Sequence, residues 1–293
     1  MIIDLHIHTR TGSDGTLSIE EVFREAKKRN IDLMSITDHD SIDYQERAMA
    51  LAKKYGIIYL TGVELNITFQ YAHQPIRSVS LDFLGYQYDV ANQELKSKLK
   101  VMKEHREARA WQILEKLNIE FEKENIDRFN KDDIEKIEAG VDGTFGRPHI
   151  ARYLLEKGIV SNHQEAFDKY LVKCDVPKFP LSLAEASSLV RGAGGILVLA
   201  HPNDPHGTSL AGITDDLGEQ MRIIEEYMVE YIDGIECWHS RSNVETTAGY
   251  IDFARKRNLL MTGGSDCHQR PLLLGTLDIP DFVAEQFALE RTY

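Results

Sequence analysis

Apolar and polar positions over roughly the first eighty residues come in blocks, short β-branched runs separated by amphipathic stretches, as in parallel βαβ units. Ile2 to His8 predicts the first strand. Ser18 and Glu21 then make a capping box for a helix with Val22, Phe23 and Ala26 on its apolar side. Leu33 to Thr37 predicts strand two, and a helix from about Asp43 to Tyr55 closes at Gly56. Ile57 to Leu65 and Val79 to Tyr86 predict strands three and four. From about Ala91 to Pro180 the spacing is helical only, led by a charged segment with Leu95, Leu99, Met102, Ile113, Leu114 and Leu117 at helical intervals. The alternation resumes with a capping box at Ser182 and Glu185 and strands at 196–200, 234–238 and 259–263. The expectation is an α/β chain of seven strands over 1–90 and 181–293, interrupted by a helical subdomain over 91–180.

Composition narrows the class. At 293 residues, 42% hydrophobic and 28% charged, the chain is long enough for a full barrel or for one core with a sizeable insertion. Asp plus Glu number 47 against 34 Lys plus Arg, so the net charge of −13 argues against general affinity for duplex nucleic acid. Cys174, Cys237 and Cys267 form no CxxC pair and suit a reducing compartment. No apolar run approaches the ~18 residues of a membrane span, and the first residues lack a signal-peptide pattern. A cytoplasmic protein with no membrane and no obligatory protein partner is expected.

Five segments end in metal-ligand residues: Asp4 to His8, Thr37 to Asp40, Gly62 to Glu64, Ala200 to Pro202, and Gly264 to His268. Each follows an apolar run and reads as the C-terminal end of a strand; convergence of such ends is how an α/β barrel builds its active site. On a strand, His6 and His8 project from the same face, so both imidazoles can reach one cation. An isolated HxH is more often two ordinary histidines, but four further clusters change that weighing. Glu64 and Asp266 add carboxylates, and mixed nitrogen and oxygen donors suit Zn, Mn or Fe better than Ca.

These segments, together with Ser13-Asp14-Gly15-Thr16, Gly146-Arg147-Pro148-His149 and Gly263-Gly264-Ser265-Asp266, resemble the PHP domain, the polymerase and histidinol phosphatase family of metal-dependent phosphoesterases. The resemblance is strongest to the stand-alone nucleotide bisphosphate phosphatases and 5′-end ribonucleases that carry a helical insertion. It implies a distorted (β/α)7 TIM-like barrel with two or three divalent ions. The first would be held by His6, His8, Glu64 and Asp266, the second by Glu64 and His201, the third by Asp14, His39 and His268. Where the family usually has a histidine for the second ion, this chain reads Asp82-Phe83-Leu84-Gly85; Asp82 can ligate, and His73 is the alternative. Glu64, His201 and Asp266 would then be the catalytic ligands, acting through a hydroxide held between two ions.

The resemblance also implies phosphoester hydrolysis, and Arg147 and His149, flanking Pro148 at a predicted helix start, are candidates to bind the phosphate. His239 and Arg241, after the sixth strand, are further substrate-binding candidates, and His149 and His239 are candidate proton donors. Asp4 and Asp38 are expected to support the ligating imidazoles. Arg106 and Arg109, one turn apart, would hold a second phosphate if they face the cleft, making the insertion a lid over the substrate. The expected substrate is a nucleotide 3′,5′-bisphosphate or the 5′ end of short single-stranded RNA. Histidinol phosphate is the alternative, and a non-catalytic metal-binding module is the alternative of another class.

Overall fold

The computed structural model describes residues 1–71, 77–139 and 146–287. The chain forms an α/β fold whose strands fall into two hydrogen-bonded sheets. The first sheet is parallel and holds β1 (Ile3–Ile7), β2 (Leu33–Ile36) and β3 (Ile58–Tyr59) in that order. The second runs β4 (Gly62–Tyr71), β5 (Arg77–Tyr86), β6 (Ile196–Leu199), β7 (Gly234–His239) and β8 (Leu260–Gly264). Isolated parallel bridges, Ile7 to Cys267 and His39 to Glu64, tie the two sheets together.

The local signals in the first part of the chain hold. Ser18 and Glu21 close a reciprocal capping box at the start of α1 (Ile19–Lys28), which buries Val22, Phe23 and Ala26. Gly56 ends α2 (Gln45–Tyr55) in the left-handed conformation, at φ 67°.

Two expectations are corrected. The apolar run 57–65 is two strands in different sheets, giving eight strands among the described residues instead of seven. At Gly62 a Cβ would lie 2.0 Å from Ser35 Oγ, so only glycine lets the chain pass this close to β2 as it changes sheets. The strands are also not all parallel, for β5 runs antiparallel to both β4 and β6. The physical reason is the link: too few residues separate β4 from β5 for the crossover that parallel pairing needs. β6, β7 and β8 are mutually parallel. Between them lie α8 (Leu217–Tyr227) and α9 (Val244–Arg257), which carry the crossovers.

Between β5 and β6 the described elements are all helical: α3 (Gln93–Lys123), α4 (Lys131–Ala139), α5 (Arg147–Glu156), α6 (His163–Ala166) with a π-helical turn to Leu171, and α7 (Leu183–Gly192). Ala110, Ile113, Leu117 and Phe121 of α3 pack with Ile150, Leu154 and Tyr170 in a hydrophobic cluster of their own. The N-terminal part of α3 instead buries Leu95, Leu99 and Met102 in the cluster beneath the second sheet. One long helix therefore belongs to two cores. No described helix is long and apolar enough to cross a membrane.

Candidate metal centre and cleft

Four of the five ligand-bearing segments reach the centre at strand ends. Glu64 does not, being the third residue of the ten-residue strand β4, where the bridge to His39 draws it against the end of β2. His6 and His8 lie at the end of β1, and His201 follows β6 with φ 24°. Asp266 follows β8 in the left-handed region, φ 51°, a conformation aspartate tolerates better than most residues. At Gly264 a Cβ would stand 2.3 Å from the backbone nitrogen of His6. Glycine there lets β8 approach β1 closely enough to bring Asp266 to the two histidines.

The donor atoms converge. His6 Nε2 and His8 Nε2 are 3.1 Å apart, and Asp266 Oδ1 is 3.5 and 3.3 Å from them. Glu64 spans the centre: Oε1 is 3.5 Å from His6 Nε2 and 3.0 Å from His201 Nε2, and Oε2 is 3.1 Å from His8 Nε2. Donors placed about 2.1 Å from a tetrahedral cation are about 3.4 Å from one another, which is the spacing seen. His8, Asp14, His39 and His268 form a further group, with Asp14 Oδ1 3.4 Å from His268 Nε2 and 3.8 Å from His39 Nε2. His201 Nδ1 is buried without a hydrogen-bond partner, and Asp14 Oδ1 and Glu64 Oε2 meet only the neighbouring imidazoles. A buried polar atom left unpaired costs about 1–3 kcal/mol, and mixed imidazole and carboxylate donors at this spacing fit divalent cations.

Without cations the groups hold one another's charge. Burial works against ionisation of Glu64, but the imidazoles of His39 and His6 hold its carboxyl well below the usual range. Asp266 is likewise held down, against burial, by His268 and His6. Burial opposes protonation of His201 and His39, yet Glu64 lifts both to about 9.

Asp82 is not brought into any of the ligand groups found among the described residues. One of its oxygens takes an amide proton of Asn66 at 2.5 Å, and the other takes the Thr208 hydroxyl. Burial, then the nearby Glu64 charge, push its carboxyl up. His73 lies outside the described residues.

Asp4 and Asp38 are buried and bind backbone and hydroxyls instead of rings. Asp4 accepts the N–H groups of Ser265 and Gly275, fixing the segment that carries Asp266. Asp38 accepts from Thr9 and from Ser13 Oγ, which lies 3.4 Å from His8 Nδ1. The carboxylate that touches a ligand ring was missed: Glu236 Oε1 is 3.0 Å from His6 Nδ1. Its signal was a lone charge inside the apolar run 234–238.

A cleft of about 760 Å³ opens over the centre. Arg147, His149 and Arg106 line it from the helical side. His149 Nδ1 accepts the N–H of Gly146 at 3.2 Å, so the neutral ring carries its proton on Nε2; burial lowers its pKa. Arg147 is 3.4 Å from Asp175 Oδ1 and lies over the Phe167 ring. Arg106 pairs with Asp40, whereas Arg109 is engaged by Asp175 and the Val176 carbonyl. His239 Nε2 is 3.5 Å from Asp266 Oδ2, and Arg241 pairs with Asp204. Lys178, absent from the sequence candidates, also lines the cleft; burial lowers its pKa and Asp82 partly restores it. Its setting, between Pro177 and Pro180, gave no periodic signal.

The PHP domain family model matches residues 4–175. A 5′-3′ exoribonuclease of Haemophilus influenzae is 32% identical over 68% of this chain and 68% of its own length. A 3′,5′-nucleoside bisphosphate phosphatase of Chromobacterium violaceum is 31% identical over 91% of this chain and 87% of its own. Among solved structures, a Bifidobacterium adolescentis chain assigned as a metal-dependent phosphoesterase superposes with a TM-score of 0.79 at 28% identity, covering 97% of this chain and 94% of that one.

Proposed function

This chain belongs to the PHP domain family and is a metal-dependent phosphoesterase, and from that premise we propose that it hydrolyses a nucleotide 3′,5′-bisphosphate or the 5′ end of short single-stranded RNA. The observation that carries the reading is that one cleft is lined by two sets of groups: the carboxylate and imidazole cluster on the strand side, and the cations Arg106, Arg147 and Lys178 with the neutral His149 on the other. A substrate with two phosphates engages both. The names of the two curated relatives, a bisphosphate phosphatase and an exoribonuclease, support that class.

In this reading His6, His8, Glu64 and Asp266 hold one ion, Glu64 and His201 a second, and Asp14, His39 and His268 a third. Bound divalent ions supply Lewis acidity at phosphoryl oxygens and activate water as nucleophile. Glu64, His201 and Asp266 would be the ligands that serve the reaction. Asp82 joins the second group only by giving up its bond to Asn66 or Thr208.

The remaining groups bind and orient. Arg147 and Lys178 neutralise a phosphate, and His149 donates from Nε2 to a phosphoryl or leaving oxygen. Arg106, held by Asp40, belongs to the helical-side set, and Arg109, which also lines the cleft, is engaged by Asp175. Arg241 lines the cleft beside Asp266, and His239, buried, supports Asp266 from within. The helices over 91–180 act as the lid, and the two bridges that join the sheets support the reading of a distorted barrel. Three buried free cysteines suit the cytoplasm.

Phosphate release from adenosine 3′,5′-bisphosphate, a 5′-phosphorylated RNA trinucleotide and histidinol phosphate by Mn-reconstituted protein, with metal content measured on the same sample, tests the proposal. Turnover of either of the first two is expected. Turnover of histidinol phosphate alone overturns the substrate class.

A further inference from the structure

We infer that Glu236 is the positioning carboxylate of the centre, setting the ring of His6 and the backbone at His201 together; the inference rests on the ligand assignment proposed above. Glu236 is the third residue of β7, and at 1% exposure it is as buried as the apolar Cys237 beside it. A buried carboxylate needs compensation. Glu236 finds it at two candidate ligands: Oε1 is 3.0 Å from His6 Nδ1, and Oε2 accepts the backbone N–H of His201 at 2.7 Å.

Each contact does separate work. An ionised carboxylate only accepts, so His6 donates from Nδ1 and turns the lone pair of Nε2 toward His8, Glu64 and Asp266. A ring with its proton on Nε2 would present that proton where a cation has to bind. At His201 the backbone, with φ 24°, occupies a region that side-chain-bearing residues rarely adopt, and the bond to Glu236 Oε2 helps hold it there. His6 belongs to the first sheet and His201 follows a strand of the second; Glu64 meets both at Nε2, whereas Glu236 of β7 holds His6 at Nδ1 and His201 at its backbone N–H. Asp4 and Asp38 bind backbone and hydroxyl groups, so they cannot set a ring tautomer directly.

Glu236→Gln keeps the volume but offers one acceptor oxygen for two donors, so either His6 or His201 faces an NH2 group. Mn(II) titration of this variant is expected to show binding about 10- to 100-fold weaker than wild type at the groups containing His6 and His201. The group of Asp14, His39 and His268 should keep its affinity, which a general loss of packing would not spare. A second measurement needs no variant: long-range 15N NMR of the Zn(II)-loaded wild type is expected to find the His6 proton on Nδ1. A proton on Nε2, or a Glu236→Gln protein with wild-type Mn(II) stoichiometry and affinity, overturns the inference while leaving the ligands in place. Wild-type protein that binds no Mn(II) removes the ligand assignment and the inference with it.

Discussion

On the strand side of the cleft, Asp4, Asp38, Glu64 and Glu236 are each at most 3% exposed, and among the described residues they are bonded to backbone N–H groups, hydroxyls and imidazoles. On the helical side, Arg109 and Arg147 share Asp175, a carboxylate whose side chain is 45% exposed. Removing one partner of a buried charged pair costs about 3–5 kcal/mol, whereas an exposed pair is worth about 0–1. The strand side is therefore locked, and the helical side can readjust around a ligand. Chemistry sits where geometry is fixed, and substrate choice sits where it is cheap to alter.

The largest break in that comparison comes from the locked side. His8→Ala or Asp266→Ala should lower turnover about a thousandfold or more, roughly 4 kcal/mol of barrier, with metal content falling in the same preparation by elemental analysis. If either variant keeps its metals and its rate, the strand side is not the reaction centre.

Chelation should unlock the same side in a pH-dependent way. His201 and His39 are raised from the ordinary 6.5 to about 9, so the stability they lend metal-free protein is fully present below pH 6.5 and lost as pH rises through about 9. The melting temperature in EDTA should therefore fall between those values, while Mn-loaded protein, with cations in place of protons, should stay nearly level. Equal pH dependence in both samples would separate these histidines from metal binding.

Smaller effects are expected across the cleft. Arg147→Ala should reduce kcat/KM about 10- to 100-fold, the worth of one charge-assisted contact, with metal content unchanged; wild-type kinetics would remove Arg147 from the substrate site. Asp175→Asn should be milder still, a change in KM of about threefold with kcat kept, as expected for an exposed pair. A change in kcat of the size seen for Asp266→Ala would contradict the contrast between the two sides.

How much of this could be read from the sequence followed the range of each signal. The capping box of α1, the C-cap at Gly56 and the HxH of β1 are local, and all stand where their spacing put them. The convergence of His6, His8, Glu64, His201 and Asp266 was legible because five strand-associated segments each carried a ligand-competent residue. The break inside 57–65 was not, since its cause is a close approach to Ser35, some 27 residues away in sequence, visible only as an unremarked glycine. Glu236 and Lys178 escaped for a similar reason: a single charge carries no period, and its meaning lies in a partner on another element. Asp82 was recognised as the odd position, but its engagement by Asn66 across the β4–β5 ladder depends on an antiparallel register that the parallel expectation hid.

Gly264 makes the metal centre a gauge of the seam between β1 and β8. Because the backbone of β8 rests directly against His6 there, with no side chain as spacer, the gap between the two strands sets the distance between Asp266 and the histidines. Ion retention should thus report mechanical integrity: pressure, mild denaturant or Gly264→Ala would spread the seam and release ions while far-UV circular dichroism still looks native.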